Sequence, residues 1–140
     1  MFPSEGYFYL KCQKNGLVVS VNNEEKAGTK LVTDNKNDED SQLWSFQGGC
    51  LISKHSSLVM DIDGGDLRND AKLLQFDRKK TMAHNQRWGI CDGFVYAVAD
   101  PRLVLVAEDD ASHIKVGVKS NENELQQWYL EPYYQAEQEE

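Results

Sequence analysis

The sequence predicts an all-β protein of three pseudo-symmetric units with four strands each, and three observations carry that prediction. The tripeptide Gln-x-Trp occurs three times, as Gln42-Leu43-Trp44, Gln86-Arg87-Trp88 and Gln126-Gln127-Trp128, and it contains every tryptophan of the chain. The tryptophans stand 44 and 40 residues apart, a period that marks an internal repeat. Finally, no window carries a helical apolar stripe; short apolar runs recur instead at spacings of about ten residues, separated by loops rich in Gly, Asn, Asp and Ser.

Each unit opens with glycine before an apolar run: Gly6-Tyr7-Phe8-Tyr9-Leu10, Gly49-Cys50-Leu51-Ile52 and Gly93-Phe94-Val95-Tyr96. A second strand follows in Leu17-Val18-Val19-Ser20-Val21, Leu58-Val59-Met60-Asp61-Ile62 and Leu103-Val104-Leu105-Val106-Ala107. A third is read where Lys precedes apolar residues, at Lys30-Leu31-Val32, Lys72-Leu73-Leu74 and Lys115-Val116-Gly117. The fourth carries the Trp. The units are therefore expected at about 6–47, 48–90 and 91–131, in one domain over 1–132, with the Trp rings meeting near a threefold axis. Residues 133–140, which end in an acidic run, read as a solvated, flexible tail.

A chain of 140 residues can bury a core without a disulfide or metal staple. Its formal net charge of −8 disfavours nucleic acid, anionic membranes and sulphated polysaccharides, whereas a neutral ligand meets no such repulsion. No apolar stretch reaches the roughly 20 residues of a membrane span. The N-terminus lacks the basic start and apolar stretch of a secretory signal, so the expected location is cytoplasmic, or outside the cell by a non-standard route. Cys12, Cys50 and Cys91 cannot all pair with one another and have no metal-finger spacing; they are expected as reduced, inert core thiols.

Three units of this length, each closed by Gln-x-Trp, resemble the ricin-type lectin repeat, a β-trefoil that also occurs as a carbohydrate-binding module. The resemblance covers residues 6–131, and the texture is similar to small single-trefoil fungal lectins. It implies a structural role for Gln42, Trp44, Trp88, Gln126 and Trp128: the Trp fills the core and the Gln braces the loop above it. It also implies where a sugar site would lie, with an Asp in the middle strand, an aromatic residue ending the third strand, and an Asn immediately before the Gln of the Trp motif. These types suit a neutral sugar, since carboxylate and amide exchange hydrogen bonds with hydroxyls while a ring covers the C–H face.

Only the second unit keeps the set, as Asp61, Phe76 and Asn85, followed by Gln86. Gly64 offers a backbone amide as an extra donor, and His84 adjoins Asn85 as a further candidate. The first unit has Ser20 for the Asp, no ring in Val32–Asp34 and Ser41 for the Asn; the third has Val106, Val118 or Lys119, and Leu125. The expected function is a lectin with one site for galactose- or N-acetylgalactosamine-type glycans, a monomer without cofactor or metal. The alternatives are a ricin-like toxin with cytotoxic or ribosome-inactivating activity, or a degenerate trefoil serving as a protein-binding scaffold.

Other chemistries find no residues. The run Asp61-Ile62-Asp63-Gly64-Gly65-Asp66 starts like a calcium loop but has Asp66 at the glycine position and Lys72 where a bidentate Glu should close it. No nucleophile elbow or phosphate-binding glycine loop is present. The Glu-x-x-Arg pair of ribosome-inactivating chains is missing, because the residues three before Arg68, Arg78, Arg87 and Arg102 are Gly65, Gln75, His84 and Ala99. An enzyme is not expected.

Overall fold

A computed structural model describes residues 1–108 and 113–134. Among these residues there are twelve strands, four per unit: β1 (Phe8–Cys12), β2 (Val18–Ser20), β3 (Val32–Asp34) and β4 (Trp44–Gln47); β5 (Cys50–Ser53), β6 (Val59–Ile62), β7 (Leu73–Phe76) and β8 (Trp88–Cys91); β9 (Phe94–Ala97), β10 (Asp100–Val106), β11 (Lys115–Val118) and β12 (Trp128–Pro132). The fold is a β-trefoil, as the repeat predicts.

The last strand of each unit pairs antiparallel with the first strand of the next. Trp44–Gln47 runs against Cys50–Ser53, Trp88–Cys91 against Phe94–Ala97, and the chain closes on itself through five residues from Phe8↔Pro132 to Cys12↔Trp128. Within each unit the first and fourth strands meet at the Trp: Phe8 faces Trp44, the Trp88 N–H donates to Gly49 O at 2.9 Å, and the Trp128 N–H donates to Gly93 O at 2.8 Å. These six strands form a barrel without a free edge. The β2–β3, β6–β7 and β10–β11 hairpins cap one end.

At the centre of that cap the threefold symmetry is written in backbone bonds. The Leu31 N–H donates to Leu73 O, Leu73 N–H to Ile114 O, and Ile114 N–H to Leu31 O, at 3.0, 3.2 and 3.3 Å. All three side chains are fully buried, so each apolar residue supplies both a core contact and one link of a closed ring. Beneath it Trp44, Trp88 and Trp128 share one core. Their indole N–H groups donate to Val19 O, Met60 O and Leu105 O at 3.1, 3.2 and 3.0 Å, which fixes each ring against the second strand of its own unit.

The ring of bonds corrects the reading of the third strands. Ile114 occupies the place of Leu31 and Leu73, and isolated bridges join Lys30 to Leu74, Lys72 to Lys115 and Val32 to His113. The counterpart of Lys30 and Lys72 is thus His113, and Lys115 is equivalent to Leu74. Lysine plus apolar run aligned the wrong residue because the side-chain pattern alone does not fix register.

Both ends of the described chain pack on the domain. Phe2 is buried and stacks on Phe46 with ring centroids 4.5 Å apart. Tyr133 donates its N–H to Tyr7 O at 3.0 Å and sets its ring edge against Tyr9, so the packed domain runs one residue past 132. Residues 135–140, on which most of the expected tail falls, lie outside the described residues. Cys12 and Cys50 are buried free thiols, but Cys91, expected in the core, is exposed, because it ends β8 at the turn into β9.

Candidate functional site

The second unit holds an open groove of about 340 Å³ lined by Asp61, Asp63, Gly64, Gly65, Leu74, Phe76, Lys79 and Asn85. Four segments build it. The β6–β7 pair places Asp61 directly across from Leu74, with Phe76 two residues on along the same face of β7. A kinked turn over Asp63–Gly65 forms one wall; Gly64 and Gly65 have φ of 73° and 68°, a left-handed backbone that glycine adopts without strain. A Cβ on Gly65 would stand 3.6 Å from His84 Nε2 and 3.7 Å from Asn85 Nδ2, so the wall lies close against the Asn85 loop.

Asp61 forms the floor, with only 3% of its surface exposed. Its Oδ1 accepts from Asn85 Nδ2 at 3.0 Å and its Oδ2 from Gln86 Nε2 at 2.8 Å. A carboxylate offers about four lone-pair positions, so two remain for a ligand. Burial raises the Asp61 pKa above its ordinary 3.8, opposed by the Gln86 hydrogen bond and the Lys79 ammonium.

Asn85 has a different role from the expected exchange of bonds with hydroxyls. Both its amide hydrogens are engaged, on Asp61 Oδ1 and on Ile62 O at 3.1 Å, and its Oδ1 accepts from Lys79 Nζ at 3.2 Å. Asn85 therefore aims the carboxylate and retains an acceptor. Lys79, with three donors and one engaged here, takes over as the donor facing the groove. The sequence reading missed Lys79. Its one signal was its place between Phe76 and Asn85; that it turns inward depends on the Gln86 side chain, whose Oε1 accepts from the Lys79 N–H at 2.9 Å.

The other sequence candidates fall around the groove. Phe76 presents its ring, 38% exposed, at the rim. Gly64 lines the wall. His84 is exposed and meets Gly65 O at 3.1 Å, a latch on the wall outside the groove lining. Gln86 lies beneath the floor, fully buried, and ties Asp61 to Asp77 O.

Gln86 does for its unit what Gln42 and Gln126 do for theirs. Gln42 donates to Asn35 O and accepts from Asn37 N–H; Gln126 donates to Val118 O and accepts from Ser120 N–H. This shared brace and the strand registers align the three units. Phe76 faces Val59 across the hairpin, and the residues at that place are Asp34, facing Val18, and Gly117, facing Val104. The ring position of the third unit is thus Gly117, one residue before Val118 and two before Lys119, the places inferred from sequence. A Cβ there would already touch Val106 Cγ2 at 3.0 Å.

In the first unit the equivalent polar place is filled by the chain itself. Ser41 Oγ donates to Asn23 Oδ1 and accepts from the Asn23 N–H, both at 2.7 Å, while Ser20 Oγ accepts from the Asn22 N–H at 2.8 Å. In the third, Val106 and Leu125 offer no polar atom from their side chains.

The comparisons with known proteins agree with this architecture. Residues 2–76 match the family described as "Ricin-type beta-trefoil lectin domain-like". No curated protein matches the sequence. Among solved structures, the solution structure of the mdaA-1 domain superposes with a TM-score of 0.83 at 26% identity, covering 94% of this chain and 91% of that one. The C-terminal half of an earthworm R-type lectin, solved in complex with GalNAc, gives 0.79 at 18% identity, covering 92% and 100%. The Macrolepiota procera ricin B-like lectin, solved in complex with lactose, gives 0.77 at 14%, covering 95% and 99%.

Proposed function

The chain belongs to the ricin-type β-trefoil lectin domain-like family, and we propose that it is a non-enzymatic carbohydrate-binding protein with one working site, the groove of the second unit, for the galactose or N-acetylgalactosamine end of a glycan. One observation carries the reading: a buried carboxylate held ready by two amides, an ammonium donor and an exposed ring converge on one groove, and the equivalent places in the other units are filled or apolar. In the proposed complex the free lone pairs of Asp61 accept from vicinal hydroxyls, Lys79 donates to a hydroxyl oxygen, and Phe76 covers the C–H face of the ring. GalNAc and lactose in two structural neighbours support the choice of sugar.

The experiment is a glycan array followed by lactose titration of the wild type, Phe76→Ala and Asp61→Ala. Phe76 is exposed, so its removal should lower affinity with little change in stability; Asp61→Ala should abolish binding. A blank array, or unchanged affinity in both variants, would overturn the site and favour the protein-binding scaffold.

A further inference from the structure

Beside the groove, four cations converge. Arg78, Lys79, Lys80 and Arg87 line a cavity of about 460 Å³, and Lys79 forms a wall of both this cavity and the groove. Among the described residues none of the four makes a salt bridge to a carboxylate, whereas Lys11, Lys36, Lys54, Arg68, Arg102 and Lys115 all do. Lys79 is turned toward Asn85 and the Asp61 carboxylate, but in a chain with 23 acidic and 15 basic residues, Arg78, Lys80 and Arg87 together without a salt bridge among the described residues are the opposite of what composition would scatter.

The cluster is also positioned. The β4–β5 turn at Gly48-Gly49 has φ of 59° and 86°, and with no Cβ it lets both arginines lie on its backbone. Arg78 Nη2 donates to Gln47 O at 3.2 Å and passes where a Gly48 Cβ would be; the Arg87 Cδ would stand 3.4 Å from a Cβ on Gly49. Two guanidinium groups and two ammonium groups held together repel one another, and an oxyanion seated among them relieves that repulsion through charge-assisted hydrogen bonds. The overall charge of −8 does not cancel this, since charges beyond a Debye length of about 8 Å are screened at physiological salt. The other units keep a cation only at the position of Arg78, where the brace alignment places Lys36, paired with Glu131, and Lys119, set over the Phe94 ring; at the position of Arg87 they carry Leu43 and Gln127, and at that of Lys80 Asp38 and Asn121.

We infer that the second-unit site takes an acidic glycan, with the neutral sugar in the groove and an anionic substituent, a sulphate ester or a carboxylate, on Arg78, Lys80 and Arg87. This rests on the sugar reading of the groove and adds the substituent to it.

The test titrates the full chain with lactose, sulphated lactose, sialyllactose and tripolyphosphate at low and high salt, and repeats the series with Lys80→Asn/Arg87→Gln, residues the third unit itself carries. The expected result is that at least one acidic lactose binds about tenfold or more tighter than lactose at low salt. High salt and the double variant should both erase that preference and leave lactose binding in place. The arm that gains identifies sulphate or carboxylate as the source of the charge. Lactose binding without an acidic preference would overturn this inference and leave the proposed function standing. No binding of any sugar would overturn both. Tripolyphosphate binding as tightly as the acidic sugars would overturn it too, marking a generic polyanion patch.

Discussion

At the residue scale the chemistry turns on Asp61. Its carboxyl is nearly closed off by protein, and its two oxygens are each held by an amide hydrogen. Desolvation raises its pKa above 3.8, so the ionised form, which in the proposed complex accepts sugar hydroxyls, disappears at a higher pH than for an exposed aspartate. Glycan affinity is therefore expected to fall with acid at a midpoint above 3.8; a lactose titration across a pH series checks this, and a midpoint at or below 3.8 would contradict it. The sign for stability is the reverse of a salt-bridged carboxylate. The folded chain binds this proton more tightly than the unfolded chain, so the contribution of Asp61 to stability declines as pH rises from 3.8 through the raised folded value.

At the element scale, the braces and the tryptophans separate fold from function. Gln126 and Gln86 make the same two loop bonds, but only Gln86 also holds a site carboxylate. Gln126→Ala should cost about 1–3 kcal/mol in denaturant unfolding, with lactose affinity unchanged. Gln86→Ala should cost at least as much and weaken lactose binding as well, because it leaves Asp61 Oδ2 without its partner. Trp88→Ala empties the core beneath the cap and removes the donor to Met60 O; about 3–5 kcal/mol should be lost in the same measurement. A loss below about 1 kcal/mol would show that the ring does not fill the core.

At the scale of the whole molecule the threefold symmetry is mechanical. The barrel, the ring of Leu31, Leu73 and Ile114 and the three indoles repeat in every unit, while the polar groove of the second does not. A monomer with one shallow site gains nothing from multivalency. The protein is expected to bind galactose-type glycans in solution without agglutinating cells that display them; agglutination by a species sedimenting as a monomer would reveal a second site.

Much of this was legible in the chain. Trp44, Trp88 and Trp128 at a steady period disclosed the repeat, because strand period and core volume are local demands that leave a mark on sequence, and the resemblance to the ricin-type repeat then singled out Asp61, Phe76 and Asn85 in the second unit. The tertiary structure decided what depends on side chains from separate segments. It gave the inward turn of Lys79 to Gln86, replaced Lys115 by His113 in the threefold set, moved the third ring position to Gly117 and gathered Arg78 and Arg87 over the bare Gly48-Gly49 turn, with Lys80 lining the same cavity. Composition sums charge over the chain, whereas a binding site responds to charge within about a Debye length. The sequence thus determined the trefoil and its one asymmetric unit, and the folding of distant loops onto that unit decided what its groove presents to a ligand.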